Sequence, residues 1–352
     1  MATNKTDKVL NVPTLRFPGF TNEWETLMLS EIAPNISAGR SGNPIENGDF
    51  YLYGSTGIIG KTNNAQYQGE KILIARVGAN AGKISYNNET CGITDNTLIV
   101  KSAKISARYL YYYLTRYNLN RLIFGSGQPL ITGGMLKKIP ISFPELIERN
   151  KIISFLSLLD ERIALQSKLI DRLKSLMDGI IDKVTAWTPN ISIAECLDCY
   201  SSTLQECETE EQGTYPVYGA NGVCGYLNYA AISDSAILIV KDGSGVGNVS
   251  YTNGDCSVVG TLNYLMPKKN FSAKFLYFVL KRFNFQPYKT GMAIPHIYFK
   301  AYSKARIFCP DYEEQSRTAA YLSRIEDKIA LEERLLCLLQ EQKHYLLSAM
   351  FI

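Results

Sequence analysis

A chain of 352 residues that is 46% hydrophobic and 20% charged has enough apolar material for more than one core. No stretch approaches the ~18 consecutive apolar residues of a membrane-spanning helix, and the opening MATNKTDKVLNVPTLRF lacks the apolar centre of a signal peptide. A cytoplasmic protein with no membrane association is therefore expected. The net charge of +4 excludes little, but its distribution is uneven. Residues 1–147 hold 15 Lys/Arg against 10 Asp/Glu, while residues 185–312 hold 10 of each. All ten bases of that second stretch fall within 241–306, where the acids are Asp242 and Asp255; Glu206, Glu208, Glu210 and Glu211 cluster upstream. Each half can thus present a basic face, the electrostatic footprint of a nucleic-acid binder.

The elements, taken in chain order, occur twice. Short segments rich in Gly, Asn, Tyr and Ser come first, separated by the apolar triplet Ile72-Leu73-Ile74. Gly or Asn every few residues excludes long helices and fits short strands with tight turns. One helix is expected from Ala107 to Asn118, aromatic on one face and basic on the other. A Gly-rich turn follows at 125–129, then a strand, Ile139 to Pro144. After Pro144 the period changes. Ile152, Leu156, Leu159, Ile163, Gln166, Ile170, Leu173, Met177 and Ile180 step by 4 and 3, the seam of a long coiled-coil helix.

The second copy repeats this order. Tyr53, Gly57, Ile72, Gly78, Gly82 and Cys91 recur as Tyr218, Gly222, Ile237, Gly243, Gly247 and Cys256, an offset of 165. One inserted residue makes the offset 166, so that Arg116, Gly125, Pro129 and Pro144 match Arg282, Gly291, Pro295 and Pro310. The second helix runs from Ala273 to Phe283, and the second long helix carries its seam on Leu322, Ile325, Ile329, Glu332, Leu336, Leu339, Lys343, Leu346 and Met350. Gln166 and Glu332 interrupt the two seams at the same repeat position, as polar residues that fix register often do.

This period is too long for a solenoid, so each copy can bury its own core. The expected fold class is α+β: two similar globules of short twisted strands, separated by two long antiparallel coiled-coil helices, with an internal pseudo-two-fold. The expected domains are 1–147, 148–184, 185–312 and 313–352. The globules would sit at opposite ends of a helical rod, with the end of the second helix back beside the first globule.

Catalytic chemistry is hard to find. Ser55 to Thr62 approximates a phosphate-binding loop, but Ser55 stands where Gly is needed, and a loop rather than a helix follows Thr62. A Gly-rich turn between strands accounts for it more simply. Cys196 and Cys199 form C-x-x-C, yet no second pair follows and both histidines are distant, so reduced, partly buried thiols are expected rather than zinc. His296 and His344 leave few options for a Ser/His/Asp triad. The expectation is a non-catalytic chain with no cofactor of its own.

Base reading needs amide and cationic side chains on loops. In the first copy the candidates are Tyr53, Lys61, Asn63, Arg76, Asn80, Lys83 and Gln128; in the second they are Tyr218, Asn221, Lys241, Asn248, Lys289 and His296. Arg76 and Lys241 lead because both directly follow a strand beside a Gly-rich turn. On the long helices, Leu165, Leu169 and Leu176, with Leu331, Leu335 and Leu338, widen the apolar stripe beyond what a two-stranded seam requires. Spare apolar surface of this kind fits a docked protein.

The opening Leu15-Arg16-Phe17-Pro18-Gly19-Phe20 and Glu23-Trp24, the turn Gly125-Ser126-Gly127-Gln128-Pro129, and the helices Phe155 to Ile163 and Tyr321 to Ile329 carry a resemblance. Over essentially its whole length the chain resembles the specificity subunit of type I restriction-modification systems. The resemblance implies two target-recognition domains, each reading one half of a split, asymmetric site in double-stranded DNA. It further implies helices that space those domains and dock methyltransferase subunits, two being expected, with restriction/translocase subunits in the full complex. S-adenosylmethionine is expected in the methyltransferase partner. Half-sites on one face of DNA would lie about one turn apart, ~34–36 Å. The second copy departs from the pattern at Met292-Ala293-Ile294, where the first has Ser126-Gly127-Gln128. A stand-alone DNA-binding or scaffold protein with duplicated modules is the alternative.

Overall fold

The computed structural model describes residues 11–123, 129–291 and 294–352. The chain forms two units, Met1–Leu165 with Leu335–Ile352, and Gln166–Arg334.

In the first unit the elements are β1 (Glu25–Met28), α1 (Leu29–Ile32), β2 (Ile36–Ala38), β3 (Phe50–Gly54), β4 (Gly57–Thr62), β5 (Lys71–Ala75), β6 (Ile84–Asn87), β7 (Gly92–Ile93), β8 (Thr97–Val100), α2 (Ala107–Tyr117), α3 (Gly133–Lys137), β9 (Pro140–Phe143) and α4 (Leu146–Thr185), the last continuing into the second unit. The strands form three sheets: β2-β8-β5-β6, antiparallel throughout; β4-β3-β7, in which β3 and β7 are parallel; and the pair β1-β9. All of β5 is buried because both its faces are covered. Strand alternation sends Ile72 and Ile74 into the core beneath α2, and Leu73 into a small cluster with Cys91, Ile93 and Ile99. The helix α2 starts where Ser106 Oγ accepts from Arg108 N, and it buries Tyr109, Leu110, Tyr112, Tyr113 and Leu114.

The second unit holds β10 (Ile191–Ser192), α5 (Ile193–Cys196), β11 (Leu197–Ser201), β12 (Tyr215–Gly219), β13 (Gly222–Leu227), β14 (Ala236–Val240), β15 (Val249–Thr252), β16 (Ser257–Val258), β17 (Leu262–Pro267), α6 (Ala273–Arg282), α7 (Phe299–Tyr302), β18 (Arg306–Ile307) and α8 (Tyr312–Met350). Its sheets, β11-β17-β14-β15, β13-β12-β16 and β10-β18, reproduce the first unit strand for strand. Local irregularities repeat too. The β3–β4 hairpin shifts register between Leu52 and Tyr53, and the β12–β13 hairpin between Val217 and Tyr218. Gly57 and Gly222 close these hairpins at φ of 106° and 111°, where a side chain would be strained. The expected fold class, two similar α+β globules with two long helices, is the observed one.

The seam residues form the buried stripe of both helices. Within the first unit Ile152 and Leu156 of α4 share the core with Leu346, Leu347 and Met350 of α8, and Asp160 pairs with Lys343 at 2.5 Å, so these segments run antiparallel. The end of α8 docks on the globule: the Phe351 ring lies 5.3 Å from Tyr109 and 6.4 Å from Trp24, and Leu15 N donates to Ala349 O. In the second unit the two polar seam residues meet, with Gln166 Nε2 donating to the Glu332 carboxylate and to Glu332 O at 3.1 Å. The Arg16-Phe17 run has a structural task. Arg16 grips the fully buried Glu148 carboxylate through two bonds of 2.6 and 2.8 Å, and Phe17 packs edge-on against Phe155.

Candidate nucleic-acid interface

In the first unit three loops converge on one end of the sheets. The loop after β2 is pinned to β7: Ser41 N donates to Ile93 O, and Ile93 N donates to Ser41 Oγ. Gly39 permits this approach, since a Cβ there would lie 2.2 Å from Ile93 O. With the β3–β4 hairpin tip and the β7–β8 turn, this loop encloses a cleft of about 490 Å³, lined by Arg40, Asn43, Ser55, Ile59, Asp95 and Asn96 among others.

Arg76 lies beside this cleft. Its backbone N donates to Asn96 O at 3.0 Å and its carbonyl accepts from Ile131 N. Its Nη1 reaches Asp95 O at 3.4 Å, while its Nε is buried with no partner among the described residues. Asn80 and Lys83 occupy the same turn between β5 and β6, where Lys83 N donates to Asn80 O. Val77 forms a bridge with Leu130, which brings the chain just after the Gly-rich segment alongside. Gln128 lies outside the described residues. Lys61 is exposed on β4, opposite Tyr51. Asn63 Oδ1 accepts from Asp49 N, tying the two open ends of the β3–β4 hairpin. Tyr53 is half-buried on the Leu73–Cys91–Ile93–Ile99 cluster, and burial raises its phenol pKa, with the nearby Glu89 charge adding to the effect.

The second unit builds an equivalent cleft of about 510 Å³ with a different lining: Leu204, Glu206, Asn221, Val223, Cys224 and Val259 among others. Lys241 is placed as Arg76 is, its N donating to Thr261 O and its carbonyl accepting from Ile297 N. Asn221 is at the exposed hairpin tip and Asn248 on the exposed far side of the Lys241 turn. His296 is zipped to Thr290 and bridged to Asp242, which brings it close to Lys241 in the fold; Lys289 closes the preceding helical turn. Tyr218 packs against the Ile232–Leu238–Val258 cluster.

Both units thus gather the post-strand cation, its turn and the residues that follow the Gly-rich segment, Leu130 in one and His296 in the other, on one surface. Sequence reasoning missed the β2 and β11 loops, carrying Arg40 and Asn43 in one copy and Glu206 in the other. Gly and Asn mark the first of these loops, but the second, 202–214, holds one glycine and no asparagine, and the repeat slips there. Ala38 pairs with Leu98 as Ser201 pairs with Asn263, an offset of 163 rather than 165. The basic faces of α2 and α6 are partly spent internally, since Arg108 stacks on Tyr86 at 3.8 Å and Lys274 on Tyr251 at 4.2 Å, at matching repeat positions.

Cys196 is buried, with its thiol pushed up by hydrogen bonding to the neighbouring Cys309 and by burial, while burial lifts Cys199 to about 11. Among the described residues no group of His, Cys, Asp and Glu is arranged to hold a metal ion, and no helix is long and apolar enough to cross a membrane. On the long helices Leu165, Leu169, Leu176, Leu331 and Leu338 are exposed and Leu335 is half-exposed.

The duplicated α+β module thus carries two differently lined clefts, one in each unit. The family model described as "Type I restriction modification DNA specificity domain" matches twice, at residues 21–175 and 193–341. The chain belongs to this family and is a specificity subunit of a type I restriction-modification system. A Mycoplasma pneumoniae protein named as a type I specificity subunit is 32% identical over 43% of this chain and 53% of its own length, so the chain spans about half of that relative. A second such M. pneumoniae protein is 22% identical over 76% of this chain and 78% of its own length. The crystal structure of the S subunit of a type I system from M. genitalium shares the fold, with a TM-score of 0.72 at 18% identity, over 97% of this chain and 99% of that one.

Proposed function

We propose that each unit reads one half of a bipartite, asymmetric site in double-stranded DNA, and that the long helices dock methyltransferase subunits. One observation carries the reading: two clefts occupy the same place in the same topology but are lined by different side chains. Arg40 and Asn43 with the neighbouring Arg76 suit the acceptor edge of guanine or a phosphate. Glu206 suits the amino group of cytosine, and Val223 and Val259 suit a thymine methyl group. The exposed leucines at 165, 169, 176, 331 and 338, with Leu335, are the apolar surface for two methyltransferase subunits. Methyl transfer and S-adenosylmethionine then reside in those subunits, this chain supplies no catalytic group, and restriction/translocase subunits join in the cytoplasmic complex.

Methylome sequencing of cells carrying the assembled enzyme tests this. Arg76→Ala should relax recognition in one half-site only, and Lys241→Ala in the other only. Each loss should be ~1–3 kcal/mol if a base is contacted. A contact to phosphate alone would instead weaken binding to every sequence and flatten the salt dependence. A continuous or palindromic motif, or loss of both half-sites from one substitution in a folded chain, would refute the two-reader model.

A further inference from the structure

The last turns of α2 and α6 carry the same residue at matching repeat positions, Arg116 and Arg282, but the two arginines meet different surroundings. In the second unit Arg282 is locked to α4. Its Nε and Nη2 donate to the two oxygens of Asp182 at 2.9 and 2.7 Å, and Asp178, one helical turn earlier, approaches to 3.8 Å. Repeat arithmetic assigns those two aspartates to His344 and Ser348 of α8 in the first unit, at the same offset of 166. There Arg116 has no carboxylate partner among the described residues. It opens instead onto a cleft of about 400 Å³ lined by Thr115, Asn118, His344, Leu347 and Ser348. The walls supply a guanidinium, an imidazole, two hydroxyls and an amide, and no acid.

We propose that this cleft is a docking site for a partner protein's acidic helix, with two carboxylates spaced i,i+4 taking the place that Asp178 and Asp182 hold in the other unit. The second unit shows the ligand that this arginine position accepts: a bidentate carboxylate on a helix crossing the end of the domain helix. The proposal rests on the reading that a methyltransferase subunit docks on this chain, and it gives that partner a specific chemistry on the first unit, absent from the second. Arg282 is already satisfied, so the electrostatic part of docking is one-sided.

The test fills the cleft from within. The double variant His344→Asp/Ser348→Asp recreates the carboxylate pair beside Arg116, and Arg116→Gln removes its receptor. Both are measured in the full chain for affinity to the methyltransferase subunit of its own system, with Trp24 fluorescence confirming that the first unit is folded. The double variant should keep or raise thermal stability, yet bind the subunit about ten-fold more weakly. Arg116→Gln should weaken binding likewise, and added salt should narrow both differences. Wild-type affinity in the folded double variant overturns the site while leaving the docking reading intact. Failure of the unmodified chain to bind the subunit overturns both. If the variants instead lower the affinity of the chain alone for DNA and leave the subunit interaction unchanged, the occupant is a phosphate and the proposal is wrong.

Discussion

Removing Arg16 should unfold the first unit far more readily than its exposed position in the sequence suggests. Its partner Glu148 is fully buried, while the Arg16 side chain is 13% exposed and closes over it with two parallel bonds of 2.6 and 2.8 Å. Arg16→Ala leaves a carboxylate buried without a counter-charge, which typically costs about 3–5 kcal/mol. For a unit of this size each kcal/mol lowers Tm by ~2–4 °C, so a drop of roughly 6–20 °C is expected. The molecule carries its own control. Glu314 stands at the matching repeat position, with a side chain 45% exposed and an i,i+3 partnership with Arg317. Glu314→Gln should cost less than ~1 kcal/mol. The assay exploits the two tryptophans. Trp24 packs inside the first unit and Trp187 is 67% exposed, so fluorescence-monitored urea unfolding of a Trp187→Phe background follows Arg16→Ala in the first unit, while urea unfolding by circular dichroism follows Glu314→Gln in the second. Loss of less than ~1 kcal/mol in Arg16→Ala, or an equal loss in Glu314→Gln, would refute the buried-clamp argument.

The second unit should show its own acid limb through Glu326. Burial pushes that carboxyl's pKa up, but hydrogen bonds from Tyr277 and Lys274, at 2.6 and 2.9 Å, outweigh it and hold the group below the usual carboxylate range. A depressed folded-state pKa contributes stability that is present above the unfolded value, ~4.3, and is lost as pH falls through the folded one. Glu326→Gln should therefore lower stability at neutral pH and flatten its decline below about pH 4.3, read by thermal melts across pH 3–7; parallel melts for both proteins would count against the pairing. On the helices, Leu169→Glu and Leu335→Glu should weaken capture of methyltransferase subunits while leaving the helical circular dichroism unchanged. Full assembly with both changes present would show that this stripe is not the docking surface.

Much of the fold was legible because the repeated letters are those that backbone geometry constrains. Gly57 and Gly222, at positive φ, could hardly be anything else, and the Ile72 and Ile237 triplets alternate between two covered faces. The seams were readable from their period, and the polar interruptions at 166 and 332 do meet. The tasks of single polar residues were less legible. Arg16 looked like part of a motif and proves to be a clamp on a buried acid. Asn63, a candidate base reader, also accepts a hydrogen bond from Asp49 N at the other end of the β3–β4 hairpin. In both cases the partner is a distant residue or a backbone group that no local pattern announces.

The clefts illustrate why recognition is the last property to emerge from such a sequence. A scaffold position must satisfy strand pairing and packing in both copies, so it leaves the same letters twice. A lining position carries no such shared packing constraint, so the two copies can differ there. Arg40 and Thr203, or Asn43 and Glu206, therefore look unrelated although they occupy corresponding places around clefts of similar volume. The slip from 165 to 163 between β2 and β11 hides the correspondence further, because loops absorb insertions that strands cannot. Divergence against a repeated frame is then itself the signal. Where two copies keep the same sheets and exchange Arg40 and Asn43 for Thr203 and Glu206, the divergence marks the positions that the proposed two-reader model would use. The same comparison isolates Arg116, whose twin is paired with a carboxylate while it has none among the described residues.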